Sequence, residues 1–188
     1  EAGDKITTSS SNNVFGYGAA AALTEGERNV VIGSNALATA TTQSFNVAVG
    51  HGALNAAASP ENVAVGYNAG AATSSSGANT YVGYQAGVAN TTGQNTGVGN
   101  NVLAANQTGT NNTAIGIKAM QANVDGDNNV AIGHSALYNM DPSGNVDMYN
   151  VAVGYQASLG CTTGVKNVSV GGDALLSDDT GSASVAIG

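Results

Sequence analysis

A short motif returns along the whole chain: Asn, two alternating residues of which the outer is apolar, a large apolar residue, Gly, and then Ala three positions on. It is plainest in Asn46-Val-Ala-Val-Gly50, Asn62-Val-Ala-Val-Gly66, Asn129-Val-Ala-Ile-Gly133 and Asn150-Val-Ala-Val-Gly154. The motif glycines are Gly16, Gly33, Gly50, Gly66, Gly83, Gly99, Gly116, Gly133, Gly154, Gly171 and Gly188, spaced by 16 or 17 residues with one stretch of 21. A period this short cannot hold a helical hairpin or a propeller blade. It suits one coil of a β-solenoid, in which each unit stacks only on its neighbours. The expected fold is all-β, a parallel β-solenoid or β-roll of about eleven coils, roughly 50 Å long at the usual strand spacing. One domain is expected over residues 1–188, an N-terminal segment 1–11 followed by repeats over 12–188.

Each column of the repeat has its own chemistry. The residue before Gly is large and apolar, as in Phe15, Ile32, Val49, Val65 and Ile115, and the residue three before Gly is usually Val or Thr. These β-branched residues favour a pleated strand and share a face, which is expected to be the coil interior. Between them stand Val14, Val31, Ala48, Ala64, Tyr81, Gly97, Ala114, Ala131, Ala152, Ser169 and Ala186. Placed on the outside, a column so small and apolar predicts a surface covered by another copy of the chain, since a strand apolar on both faces is normally buried on both. Asn stands four before Gly in ten copies, with Ser184 in the last. Its side chain can bond its own turn, and stacked amides can form a ladder. The Gly itself needs a positive φ or a close approach to the next coil. A tight turn then leads to the Ala of each unit, and a loop rich in Thr, Ser, Asn and Gly completes it.

Only 9% of residues are charged, against about 25% in ordinary domains, and the net charge is −8. The cations are Lys5, Arg28, Lys118 and Lys166. No basic stripe exists to neutralise a phosphate backbone, so no nucleic-acid partner is expected. The longest apolar run, Ala19 to Leu23, is far short of the ~20 residues of a membrane helix, so no membrane insertion is expected. Cys161 is alone and reads as a small loop residue. The chain begins at Glu1 without Met or a signal segment, which predicts a processed product or an excised fragment.

Candidate chemistry is sparse. His51 and His134 follow motif glycines five coils apart, too far to share a metal, and Tyr17, Tyr67, Tyr84 and Tyr155 fill the same column as an aromatic edge suited to a saccharide or a partner. Asp125 and Asp127 lie in an oxygen-rich loop but lack the later bidentate Glu of a calcium hand, so they read as a solvated turn, as do Asp178, Asp179 and Asp141-Pro142. The stretch Tyr138 to Tyr149 makes the long spacing, and a protruding loop is where recognition is often carried. No catalytic, cofactor or metal residue is assigned, no cofactor is expected, and the chain reads as a non-enzyme.

The Val-Ala-Ile-Gly and Val-Ala-Val-Gly pentads, as at Asn129 to Gly133 and Ser184 to Gly188, resemble the head repeats of trimeric autotransporter adhesins over nearly the whole chain. The resemblance implies a left-handed parallel β-roll, a homotrimer, an extracellular position and binding to host matrix or other cells. The family's repeat is commonly shorter. The variant Gly-Tyr-Gln-Ala at Gly83 to Ala86 and Gly154 to Ala157 is similar to repeats of phage and bacterial tail fibres. The leading expectation is an attachment module at a cell surface or in a virion fibre, whose receptor is a glycan or a surface protein. The alternative is an extracellular filament subunit polymerising head to tail, motivated by the matching phase of the two chain ends. An ice-binding solenoid is disfavoured because no flat Thr column is evident.

Overall fold

The computed structural model describes residues 1–7, 11–75 and 77–188; residues 8–10 of the N-terminal segment and residue 76 lie outside the described residues. The fold is all-β, a parallel β-solenoid of about eleven coils. Each repeat gives one three-residue strand, and the strands pair in chain order: Asn13–Phe15, Val30–Ile32, Val47–Val49, Val63–Val65, Thr80–Val82, Thr96–Val98, Thr113–Ile115, Val130–Ile132, Val151–Val153, Val168–Val170 and Val185–Ile187. Every pairing is parallel and keeps each column aligned, so that Ala48 lies between Val31 and Ala64.

The motif Gly is required twice over. Its φ lies between 126° and 157° in all eleven copies, and a Cβ added at Gly116 would sit 2.4 Å from the carbonyl oxygen of Gly133 in the next coil. Two turns follow, closed in one coil by Ala53 N–H donating to the Gly50 carbonyl (3.3 Å) and Ala57 N–H to the Leu54 carbonyl (3.0 Å). They use left-handed backbone at non-glycine residues, for example Asn68 at φ 51° and Leu54 at 49°. Asn adopts that region readily; Leu does so at a cost of roughly 1–2 kcal/mol. Full burial of the Leu54 side chain, worth about 1.5–3 kcal/mol, offsets it.

The orientation of the strands is the reverse of the sequence expectation. The small column faces inward: Val31, Ala48, Ala64, Tyr81, Ala114, Ala131, Ala152 and Ser169 are all 0% exposed. The β-branched residues on either side point out, and Ile32, Val98, Ile115, Ile132 and Val170 are 36–42% exposed. Thickness is the physical reason. The strand faces the turn residues of its own coil across a thin interior already filled by Ala36, Ala53 and Ala69 and by Leu37, Leu54, Leu103, Met120 and Leu137. Only a small strand residue fits opposite them, so side-chain size marked the outside here. The small column is therefore covered by its own coil, and no second copy is needed to bury it.

The Asn column shares that inward face, being two residues from the small column, and its members from Asn29 to Asn167 are buried. Each Oδ1 accepts the backbone N–H of the next Asn at 2.9–3.1 Å along the whole stack. Amide-to-amide bonds join several of them, such as Asn79 Nδ2 to Asn62 Oδ1 at 3.0 Å. The expected ladder is present, and it satisfies backbone donors that a buried turn would otherwise strand.

Tyr81 is the one large residue in the small column. Three glycines make room for it: Gly70 and Gly87 stand where neighbouring coils have Leu54 and Leu103, and Gly97 follows it in its own column. A Cβ at Gly87 would lie 2.4 Å from the Tyr81 ring, one at Gly97 3.0 Å and one at Gly70 3.2 Å. Backbone does not demand these glycines at the Leu column, since φ is 57° at Gly70 and Gly87 and close to that at Leu54 and Leu103. The phenol hydroxyl donates to Asn79 Oδ1 at 3.4 Å. Burial pushes the phenol well above the usual tyrosine range, against a smaller opposing hydrogen bond with Asn95.

At the other end of the chain Gly3 N–H donates to the Ala19 carbonyl (3.0 Å) and Ile6 packs on the core, so residues 1–7 continue the stack.

Candidate functional site

The residue after each motif Gly has its backbone fixed by the turn and its side chain outside the coil. Coil stacking therefore brings His51, Tyr67 and Tyr84 into one stack, with ring centroids 5.3 Å apart and planes within 14° of one another. His134 and Tyr155 form a second stack at 5.4 Å. Tyr17 is widely exposed and stacks on no ring among the described residues. The aromatic edge expected from the column is present, and the two histidines belong to it. Because the inner rings face one another, a ligand meets mainly ring edges and the two outermost faces.

The long spacing becomes a loop that leaves the coil after Met140 and rejoins it at Met148, both buried, while residues 143–147 are exposed. Val146–Asp147 pairs in parallel with Gly126–Asp127 as a separate two-stranded sheet. The Asn ladder passes beneath without a break, from Asn150 N–H to Asn129 Oδ1 at 3.0 Å. The acidic side chains at its root are engaged with neighbours. Asp127 is nearly buried and accepts from the Thr110 N–H (2.5 Å) and hydroxyl (3.1 Å), and Asp125 accepts from the Thr108 hydroxyl (2.6 Å). The amide orientation that satisfies Asn145 lets its nitrogen donate to the Asp125 carbonyl at 3.0 Å and to Asp127 Oδ1 at 3.0 Å. Asp147 accepts from Asn128 and from the Tyr149 hydroxyl at 3.2 Å; that bond and the Asp147 charge hold the Tyr149 phenol above its ordinary value.

Cys161 is buried, with its thiol raised chiefly by desolvation, and donates to the Gly164 carbonyl at 3.6 Å. Asp178 Oδ1 accepts from Gly181 N–H at 2.9 Å and the Asp179 carboxylate accepts from the Thr162 hydroxyl. Asp141 is exposed, and Pro142 beside it is buried. Among the described residues, no three His, Cys, Asp or Glu side chains converge to hold a metal, and no helix is long and apolar enough to cross a membrane.

One site was not anticipated. The residue before a ladder Asn lies on the loop side, and in three successive coils it is Arg28, Phe45 and Glu61, all exposed. The Arg28 guanidinium stands 5.4 Å from the Phe45 centroid. A groove of about 400 Å³ is lined by Thr42, Gln43, Ser44, Phe45, Ala58, Pro60 and Glu61, residues of the Phe45 coil and the next one along. Gln43 fixes the loop, its Oε1 accepting from Thr41 N–H (2.7 Å) and Thr42 N–H (3.0 Å) and its Nε2 donating to the Ala58 carbonyl (3.3 Å). The signal available in the sequence was an aromatic residue flanked, one period to each side, by opposite charges.

No family model, curated protein or solved structure matches this chain.

Proposed function

We propose that the chain is a fibrous attachment module that works as a homotrimer, its subunits covering one another's outward strand faces and presenting their loops to a receptor. One observation carries the reading. Two columns of β-branched side chains run outward along the entire sheet, Val30, Val47, Val63, Val130, Val151 and Val168 in one and Ile32, Val49, Val65, Val82, Ile115 and Val153 in the other. Thr80, Thr96 and Thr113 are the polar members at mid-length. The strip is roughly 50 Å long at the usual strand spacing. Monomers seldom leave apolar patches beyond a few hundred Å² uncovered, so a face of this length is expected to meet another protein surface. The likeness of the pentads to adhesin-head and tail-fibre repeats supplies the number three and the role in attachment. Extracellular display, at a cell surface or in a virion fibre, belongs to the same reading, and no catalytic step is assigned.

Sedimentation equilibrium tests it. The expected mass is three times the 18.3 kDa of one chain, reduced to a single chain when Val65→Lys and Val82→Lys place charge on the strip. A stable monomer of the unaltered chain overturns the proposal. Growth of filaments with concentration, seen by electron microscopy, would instead favour the structural-subunit alternative.

A further inference from the structure

The Phe45 groove has the composition of a sugar site. Phe45 is half exposed and holds the left-handed backbone of its column, φ 62°; the column's other aromatic, Tyr149, turns its hydroxyl to Asp147, so Phe45 alone offers a wholly apolar ring there. Arg28, from the coil before, steadies the ring without entering the groove lining. The groove extends from Phe45 to Ala58, Pro60 and Glu61 in the coil after. Beyond them, among the described residues, the chain carries Gly77 beside Pro60 and Ala78 beside Glu61, both small. The polar groups around the ring differ in their duties. Gln43 is held by the loop backbone, and Ser44 Oγ accepts the Glu27 N–H at 3.0 Å while its proton stays available. The Thr42 hydroxyl and the Glu61 carboxylate are exposed and enter no hydrogen bond or ion pair with another described residue. A flat apolar face bordered by a carboxylate and hydroxyls matches a pyranose, which has one apolar C–H face and a rim of hydroxyls. Glu61 and Glu27 nearby, and a chain of net charge −8, disfavour an acidic sugar.

We infer that this groove is a saccharide subsite taking one uncharged or amino sugar ring, its C–H face on Phe45 and its polar rim on the Glu61 carboxylate and Thr42 hydroxyl. The inference rests on the attachment reading and names its receptor chemistry. The stack of His51, Tyr67 and Tyr84 is then an edge beside the contact and not the contact itself.

The test uses the full chain in its native oligomeric state on an array of immobilised neutral, amino and acidic oligosaccharides. Retention on neutral or amino glycans is expected, falling about tenfold or more in Phe45→Ala and in Glu61→Gln, preserved in Phe45→Tyr, and unchanged in a Tyr67→Ala, Tyr84→Ala double variant. Thermal unfolding and mass, measured on each variant, separate loss of binding from loss of fold. Retention on acidic glycans alone, no retention at all, or retention indifferent to Phe45 and Glu61 overturns the subsite. So does a change of oligomer mass in Phe45→Ala, which would assign the ring to a subunit contact. A trimer that binds glycans through the Tyr edge would sink this inference and leave the attachment reading standing; a monomer would sink that reading by itself.

Discussion

Two stretches of the same interior solve one packing problem in opposite ways. Between Gly33 and Gly66 the strand contributes Ala48 and Ala64 and the turns contribute Leu37 and Leu54. Between Gly66 and Gly99 the strand contributes Tyr81 and the turns contribute Gly70 and Gly87. The bulk moves from the turn to the strand, and the trade crosses coil boundaries, since the Tyr81 ring lies against both Gly70 and Gly87. A core one layer thick has no depth in which a local excess can be absorbed, so neighbouring coils must compensate one another. The second stretch is also more polar inside. Thr73 and Asn90 occupy the buried column that holds Ala40 and Ala57 in the first.

The largest test of that contrast is to remove the strand's contribution. Tyr81→Ala is expected to cost about 3–5 kcal/mol in chemical denaturation, because Gly70 and Gly87 cannot fill the space. Leu54→Ala in the first stretch is expected at the lower end of that range. Restoring the turn's contribution while the ring remains, Gly87→Leu, is expected to cost about 3 kcal/mol by overpacking. The double variant Tyr81→Ala, Gly87→Leu should recover most of both losses, and additive costs would break the idea that the two positions exchange volume.

The buried phenol gives the second stretch a pH signature of its own. Tyr81 keeps its proton in the folded chain at pH values where the unfolded chain, near the ordinary value of about 10, releases it. The unfolded state then binds fewer protons, so stability falls as pH rises above about 10, by up to ~1.4 kcal/mol per pH unit. Below that pH the contribution is fully present. Tyr81→Phe should flatten the decline, and an identical slope in the two proteins would contradict the assignment. The smallest expected effect concerns Thr73, whose buried Oγ1 finds no hydrogen-bond partner among the described residues. Thr73→Val is expected to stabilise by about 1 kcal/mol in the same denaturation assay, and a loss would show that the hydroxyl is satisfied after all.

Period, strand positions, register and the Asn ladder were legible because each depends on identical residues recurring at identical spacing. The two sides of the strand were not, because in so thin a coil the large side chain is the one that points out. Parity held the better clue: Asn62 and Ala64 share a face, and an Asn that bonds the next coil's backbone must point inward. Tyr81 offered a second clue, since glycines replace Leu at 70 and 87 only beside it. The aromatic edge could be read from the column, including the adjacency of Tyr67 and Tyr84. The Phe45 groove could not, because its walls come from loops whose path follows from left-handed residues and side-chain bonds such as those of Gln43, and not from hydrophobic pattern.

The ladder has a further consequence. Each bond from one Asn to the next joins residues 16 or 17 apart, or 21 across the insertion, wherever it lies in the stack. The loop to be closed when a coil docks is therefore nearly the same for the first coil and the last, and the entropy of closing it grows only logarithmically with loop length. Duplication of a repeat adds reach without lengthening the conformational search, and four extra residues in one loop leave the next Asn free to find its place. A gene for such a chain can change the length of the rod, or the outline of any one loop, as separate events.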